Sequence, residues 1–254
     1  MTKRDIQGQL QEMLRELHLP AIRDCFQEYA QKAIGENLNY EQYLLALLEC
    51  ECQTRRQNKI AKLLRSSHLP LEKSLEAFEL KRLPAKVNQQ VKSLLDGSFL
   101  DRKENVLAFG KPGSGKTHLL CAVSQKLIHQ GRSVYFSKCD MVVEEMLRAK
   151  RDLKLDKFIK KLSRFDAMMI DDIGYVKQDR DEMAVLFTLL AERYERGSML
   201  ITSNLPFSQW ESIFKDPMTT AAAIDRLVHH SVIIELNVPS YRMEQAKAKK
   251  DSDK

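Results

Sequence analysis

The chain has 254 residues, with 41 Lys and Arg against 35 Asp and Glu for a formal charge of +6. At 43% hydrophobic and 30% charged it can bury a core and is not a disordered tail. Its longest apolar runs fall far short of the ~20 residues that a bilayer crossing needs, and its start lacks the apolar stretch of a secretory signal, so a globular cytoplasmic protein without a membrane partner is expected.

In chain order, Ile6 to Leu17 carries Leu10, Met13, Leu14 and Leu17 at three- and four-residue spacing. Ala21 to Ala33 carries Ile22, Cys25, Phe26 and Tyr29 in the same way, and Pro20 separates two amphipathic helices. Tyr40 to Ser66 reads as a third helix, apolar in its first half (Tyr43, Leu44, Leu47, Leu48) and basic in its second. These make a small all-helical N-terminal domain over 1–70. A connector with Pro70, Pro84 and Gly97 follows and includes a short helix around Val87 to Leu95. The five cysteines have no CxxC spacing, which predicts reduced thiols rather than disulfides or a zinc site.

From Asn105 onward, strand-length apolar runs recur at Val106 to Phe109, Val134 to Phe136, Ala167 to Ile170, Met199 to Thr202 and Val232 to Leu236. Helical patterns fill the gaps at Thr117 to Gln130, Asp140 to Ala149, Lys154 to Ser163, Asp181 to Arg196 and Ala221 to His230. The alternation predicts an α/β domain with a five-stranded parallel sheet flanked by helices.

Directly after the first strand, Gly110-Lys111-Pro112-Gly113-Ser114-Gly115-Lys116-Thr117 fits G-x-x-x-x-G-K-[ST] at every fixed position, and His118 continues it into a helix. Glycines let the backbone turn tightly, so that successive N–H groups and the positive helix end face a phosphate. Lys116 is placed to reach the β- and γ-phosphates of ATP, and the Thr117 hydroxyl to ligate Mg²⁺. Met168-Met169-Ile170 leads into Asp171, expected in the Mg²⁺ shell, and Asp172, a candidate general base for the attacking water. A pair of acids opening a turn at Gly174 is the plainer alternative. Asn204 ends the next strand, either beside the γ-phosphate or capping a helix after Pro206. Arg226, at a helix end before the last strand, is a candidate arginine finger, a surface partner of Asp225, or a cation at a helix C-terminus.

Positive charge is local. Gln53 to Leu71 holds Arg55, Arg56, Lys59, Lys62 and Arg65 with no acid, and Arg148, Lys150, Arg151, Lys154, Lys157, Lys160, Lys161 and Arg164 stand against only Asp152 and Asp156. Such stripes track a nucleic-acid backbone by releasing counterions, or are simply solvated helix faces.

Beyond these patterns, the runs Lys73-Ser74-Leu75-Glu76-Ala77-Phe78, Glu104-Asn105-Val106-Leu107 into GKPGSGKTHLL, IDDIGYV, YERGSMLITSNLPFSQW, AAAIDRLVHHSVIIEL and Ser240-Tyr241-Arg242 closely resemble the IstB-like ATP-binding proteins. These are transposition helper ATPases of bacterial insertion sequences, related to DnaC-type helicase loaders. The resemblance covers about Pro70 to Arg242. It implies an AAA+ P-loop NTPase of the initiator clade over 71–242, followed by a basic flexible tail over 243–254. Asn204 then resembles a sensor-1 residue and Arg226 a finger acting across a subunit interface, while the Arg148 to Arg164 stripe resembles extra helical structure that faces DNA. It further implies ATP-dependent homo-oligomers on double-stranded DNA that recruit a cognate transposase. Two departures stand out. Many relatives have Asp-Glu where this chain has Asp171-Asp172, and the shorter carboxylate stands about one methylene farther from the water, which implies slow hydrolysis; DNA-stimulated activity is an expectation of the resemblance as a whole. Only eighteen residues follow Leu236, too few for a C-terminal helical lid.

Two other functions compete. A DnaC-like replicative helicase loader would grip a helicase through the N-terminal helices and prefer single strands. A small-molecule kinase would need neither Arg226 nor the basic stripes.

Overall fold

The computed structural model describes residues 3–175, 180–214, 216–241 and 243–244. Two compact units emerge, Met1–Lys62 and Leu63–Lys254. The division falls inside the third helix, earlier than the boundary expected at residue 70; Ser67 and Leu69, both buried, belong to the second unit.

The first unit holds α1 (Lys3–Glu16), α2 (Pro20–Gly35) and the greater part of α3 (Tyr40–Ser67). Its core is small: Ile22, Phe26 and Leu47, with Leu14, Leu19 and Tyr43 packed against them. Leu10, Met13 and Leu17, expected on the inner face of the first helix, are instead exposed; Leu14 alone of that set reaches the core. Two polar devices start the helices. Asn39 and Gln42 exchange side-chain and backbone hydrogen bonds (2.8 and 2.9 Å), a reciprocal cap at the head of α3. At the head of α2, the N–H groups of Ala21 and Ile22 donate to the Glu51 carboxylate at 2.8 and 3.1 Å.

In the second unit the chain runs through α4 (Ala85–Leu94), α5 (Ser98–Asp101), β1 (Asn105–Phe109), α6 (Lys116–His129), β2 (Val134–Lys138), α7 (Cys139–Arg151) and α8 (Leu155–Leu162). It continues through β3 (Ala167–Asp171), α9 (Arg180–Arg193), β4 (Ser198–Ser203), α10 (Glu211–Phe214), α11 (Pro217–Val228) and β5 (Ser231–Glu235). All five strands are parallel, in the order β2-β3-β4-β1-β5. Parallel strands covered by helices on both faces must be apolar throughout. Accordingly Val106, Leu107, Met168, Met169, Ile170 and Leu200 are wholly buried. The expected strands match within two residues at each end.

Two helix ends differ from expectation for local reasons. α9 stops at Arg193, whose buried guanidinium turns back to collect the carbonyls of Leu162, Phe165, Asp166 and Ser198 at 2.9–3.3 Å. Burial lowers its pKa to about 10. α11 starts at Pro217 rather than Ala221, because Asp216 caps it by accepting the Thr219 N–H at 2.7 Å. The five cysteines are free thiols. Among the described residues no helix is long and apolar enough to cross a membrane.

Candidate functional site

Strand order decides which loop ends meet. β1 lies beside β4, and β4 beside β3, so the segments leaving their C-terminal ends share one edge of the sheet. From β1 the chain enters Gly110–Thr117; Gly113 (φ +80°) and Gly115 (φ +97°) take left-handed conformations that favour glycine. Gly115 caps α6, whose first residue is Lys116.

Lys116 is 5% exposed, and its ammonium donates to the carbonyls of Gly110 (2.8 Å) and Lys111 (3.1 Å) and to Asn204 Oδ1 (2.5 Å). Asn204 therefore faces the phosphate loop; the 3-10 turn after Pro206 receives no side-chain cap. Its amide nitrogen also lies 3.5 Å from Asp172 Oδ1. Asp171, buried at the end of β3, accepts from the Thr117 hydroxyl at 2.7 Å and from the Thr202 hydroxyl at 2.6 Å. Thr202 in turn accepts the Asp172 N–H at 2.8 Å, which holds Asp172 at φ +57°. A cavity of about 340 Å³ opens over this group, lined by Lys116, Thr117, Asp172 and Asn204 together with Lys73, Pro112, Gly113, His118 and Tyr241. Deeper in α6, burial pushes the Cys121 thiol up to about 12, which keeps it protonated and structural.

Sequence reasoning missed Thr202, the hub joining both acids. Its only signal was a hydroxyl inside an apolar strand, two residues before Asn204. Lys73, Phe78 and Tyr241 also escaped assignment. The Phe78 ring packs edge-on to His118 at 5.2 Å, while His118 Nε2 lies 2.9 Å from the Ser74 carbonyl. Gln125 donates to the carbonyls of Pro70, Leu71 and Lys73, so the connector is tied along α6.

Arg226 stands apart from the cavity lining. Its guanidinium lies 4.8 Å over the Phe187 ring and donates to the Ala222 carbonyl at 2.9 Å. At the start of β1, Asn105 accepts from the Met199 N–H at 2.9 Å and donates to the Leu227 carbonyl at 3.1 Å, fixing the end of this helix against the sheet.

The basic stripe of the second unit forms a helical hairpin. α8 turns Ile159 and Leu162 into the core and leaves Lys157, Lys160 and Lys161 exposed, with Lys154 at its head. On α7, Arg148 is paired with Glu144 and Lys150 with Asp181 at 2.9 Å, while Arg151 is exposed. In the first unit Arg56 and Lys59 are exposed; Arg55 is engaged by Glu51 at 2.8 Å and by the His18 carbonyl. Arg242 and the expected tail from residue 245 lie outside the described residues.

A five-stranded parallel sheet of this order, with a phosphate loop after β1, a buried carboxylate ending β3 and an amide just beyond β4, defines an AAA+ P-loop NTPase. The chain belongs to the family of IstB-like ATP binding proteins, whose sequence model matches residues 12–249. It is 41% identical to a putative insertion sequence ATP-binding protein of Sinorhizobium fredii, covering 92% of this chain and 79% of that one. It is 34% identical to the insertion sequence IS5376 putative ATP-binding protein of Geobacillus stearothermophilus, covering 96% and 98%. Among solved structures, the DnaC helicase loader superposes with a TM-score of 0.56 at 15% identity, covering 65% of this chain and 96% of that one. AMPPCP-bound DnaA from Aquifex aeolicus gives 0.56 at 17% identity, covering 73% and 57%. At such identities these two structures speak to the fold alone.

Proposed function

We propose that the protein is an ATP-hydrolysing, DNA-binding ATPase that oligomerises on duplex DNA in the cytoplasm and helps a cognate transposase select its target. The reading is carried by one coincidence: a phosphate loop with its supporting residues and an exposed basic hairpin share one compact unit, in a chain whose relatives are named for insertion sequences.

Lys116 and the loop N–H groups bind the β- and γ-phosphates, with Gly110 through His118 as the cradle. The oxygens of Thr117 and Asp171, already 2.7 Å apart, suit a hard divalent cation and would hold Mg²⁺, which when bound neutralises charge on the phosphate oxygens. Asp172 accepts the proton of the attacking water, and Asn204 orients that water from its place between Lys116 and Asp172. Asp172 is one methylene shorter than Glu, so hydrolysis is slow. Arg226 packs on its own subunit's Phe187 and serves as a finger for a neighbouring site, which makes turnover depend on assembly. Lys154, Lys157, Lys160, Lys161, Arg148, Lys150 and Arg151 meet the DNA backbone, and contact stimulates hydrolysis by promoting assembly.

The deciding experiment compares binding to a long duplex and to a matching single strand with ATP, ADP or no nucleotide, followed by sedimentation. ATP-promoted oligomers on duplex are expected. Preference for single strands would turn the reading to a helicase loader, and no DNA binding at all would leave a small-molecule kinase.

A further inference from the structure

The phosphate loop, Asp172 and Asn204 lie where β1, β3 and β4 end. A second group of donors gathers at the opposite edge of the sheet, where β4 and β5 begin. Glu195 stands between α9 and β4, and His229 and His230 stand between α11 and β5. In the sequence the two histidines have no third ligand at metal-binding spacing; the fold brings one to them from the end of α9. One ligand atom of each of the three residues lies within 4.8 Å of the other two. Zn²⁺ bonds of about 2.0–2.2 Å to nitrogen and oxygen would set those atoms ~3.4 Å apart. All three side chains are exposed, so rotation about their χ angles closes the difference.

The backbone beneath them is fixed on both sides. The His230 carbonyl accepts the Asn105 N–H at 2.7 Å, and the His229 N–H donates to the Asp225 carbonyl at 3.0 Å. Opposite, Glu195 takes a left-handed φ of +57°, a conformation disfavoured for residues with a Cβ. Its turn is closed by the Arg196 and Gly197 N–H groups, both donating to the Arg193 carbonyl at 3.1 Å. Tyr194 is half-buried, and its hydroxyl lies 3.3 Å from His229 Nδ1. Burial and then the Glu195 carboxylate push the phenol pKa up, so it stays protonated and links two of the three ligands. The His229 and His230 rings meet edge-on with centroids 4.2 Å apart. Two imidazoles and a carboxylate are a donor set for Zn²⁺ and its late first-row neighbours, whereas Mg²⁺ favours oxygen alone.

We propose that Glu195, His229 and His230 form a site for a divalent transition ion, Zn²⁺ by donor set, with Tyr194 as the positioning residue that orients His229 and Glu195. The site stands apart from the Thr117 and Asp171 pair and does not depend on nucleotide. Three protein ligands leave a position for water or for a donor from outside the site. The ion joins the end of α9 to the end of α11. Those helices carry Phe187 and Arg226, stacked 4.8 Å apart, so the ion also fixes the helix end that bears Arg226.

The test titrates Zn²⁺ into the full-length protein, free of any affinity tag, against a chromophoric chelator in excess Mg²⁺. Changing Cys25, Cys50 and Cys52 to Ser first takes the thiols that are not buried out of competition. One Zn²⁺ should bind this background. His229→Ala and His230→Ala should each weaken it at least about a hundredfold, and Glu195→Gln and Tyr194→Phe roughly tenfold. Melting midpoints in chelator should match across the set, which separates lost ligation from lost fold. Zn²⁺ at about a hundredfold excess over its Kd should raise the midpoint of the background protein by roughly 5–10 °C and leave the histidine variants unmoved. No saturable binding, saturation only in the millimolar range, binding that vanishes with the three cysteines, or undiminished affinity in the histidine variants would overturn the site. Undiminished affinity in Tyr194→Phe would overturn the positioning role.

Discussion

Removing a single hydroxyl tests the arrangement of the two acids. Thr202 is fully buried, donates to Asp171 at 2.6 Å and accepts the Asp172 N–H at 2.8 Å. Thr202→Val keeps the shape of the side chain and deletes both bonds. A hydrogen bond to a charged acceptor is worth about 2 kcal/mol, and an orphaned N–H costs about 1 kcal/mol more, so the expected loss is about 3 kcal/mol. For a unit the size of Leu63–Lys254, that lowers the melting midpoint by on the order of 10 °C. If Asp172 is the base proposed above, its release from the left-handed backbone position lowers kcat about tenfold or more, while ATP affinity, set by the loop, changes little. Thr202→Ser keeps the hydroxyl and should recover most of both quantities. Thermal melts by circular dichroism, nucleotide titration and steady-state turnover measure the effects. A valine variant that melts with wild type and turns over at its rate would refute the role of Thr202 as organiser.

If Arg226 acts on a neighbour's site, subunits carrying Arg226→Ala mixed with subunits carrying Lys116→Ala should regain part of the hydrolysis that each lacks alone, since some interfaces then pair an intact loop with an intact finger. An inactive mixture would place Arg226 outside the interface. Replacing Lys154, Lys157 and Lys160 with Gln should flatten the dependence of log K on log[salt] by roughly 2–3, because each neutralised phosphate contributes ~0.9. An unaltered slope would acquit those lysines of DNA contact. In the helical unit, burial pushes the Glu51 carboxyl up, but the Arg55 bond and the Ile22 and Ala21 N–H groups outweigh it and hold the pKa below its ordinary value. A lowered folded pKa stabilises above the unfolded carboxylate range, and that stability drains away as pH falls through the folded value. Glu51→Gln should therefore cost about 2 kcal/mol at pH 7 in urea melts and progressively less below about pH 4. A penalty independent of pH would contradict the charge-based account.

The sequence by itself determined whatever is written in contiguous residues. Strand-length apolar runs marked all five strands, since a strand covered on both faces has no polar alternation to hide it. The phosphate loop was complete in Gly110 to Thr117, because backbone cradling of an anion is a local geometry. Asp171 and Asn204 were legible as polar residues ending apolar strands. Tertiary structure alone decided what depends on which strand lies beside which. By putting β4 between β1 and β3, it brought Asn204 to Lys116 and Thr202 to both acids, residues separated by some thirty to ninety positions along the chain. It set Arg226 on Phe187 rather than beside Asp225, and it committed Arg55 to Glu51. Helical spacing could not say that Leu10, Met13 and Leu17 stay exposed, since periodicity defines an apolar face without defining what covers it. Nor could it show Ser240 and Tyr241 lying against Gly113, across more than a hundred residues and a full turn of the fold.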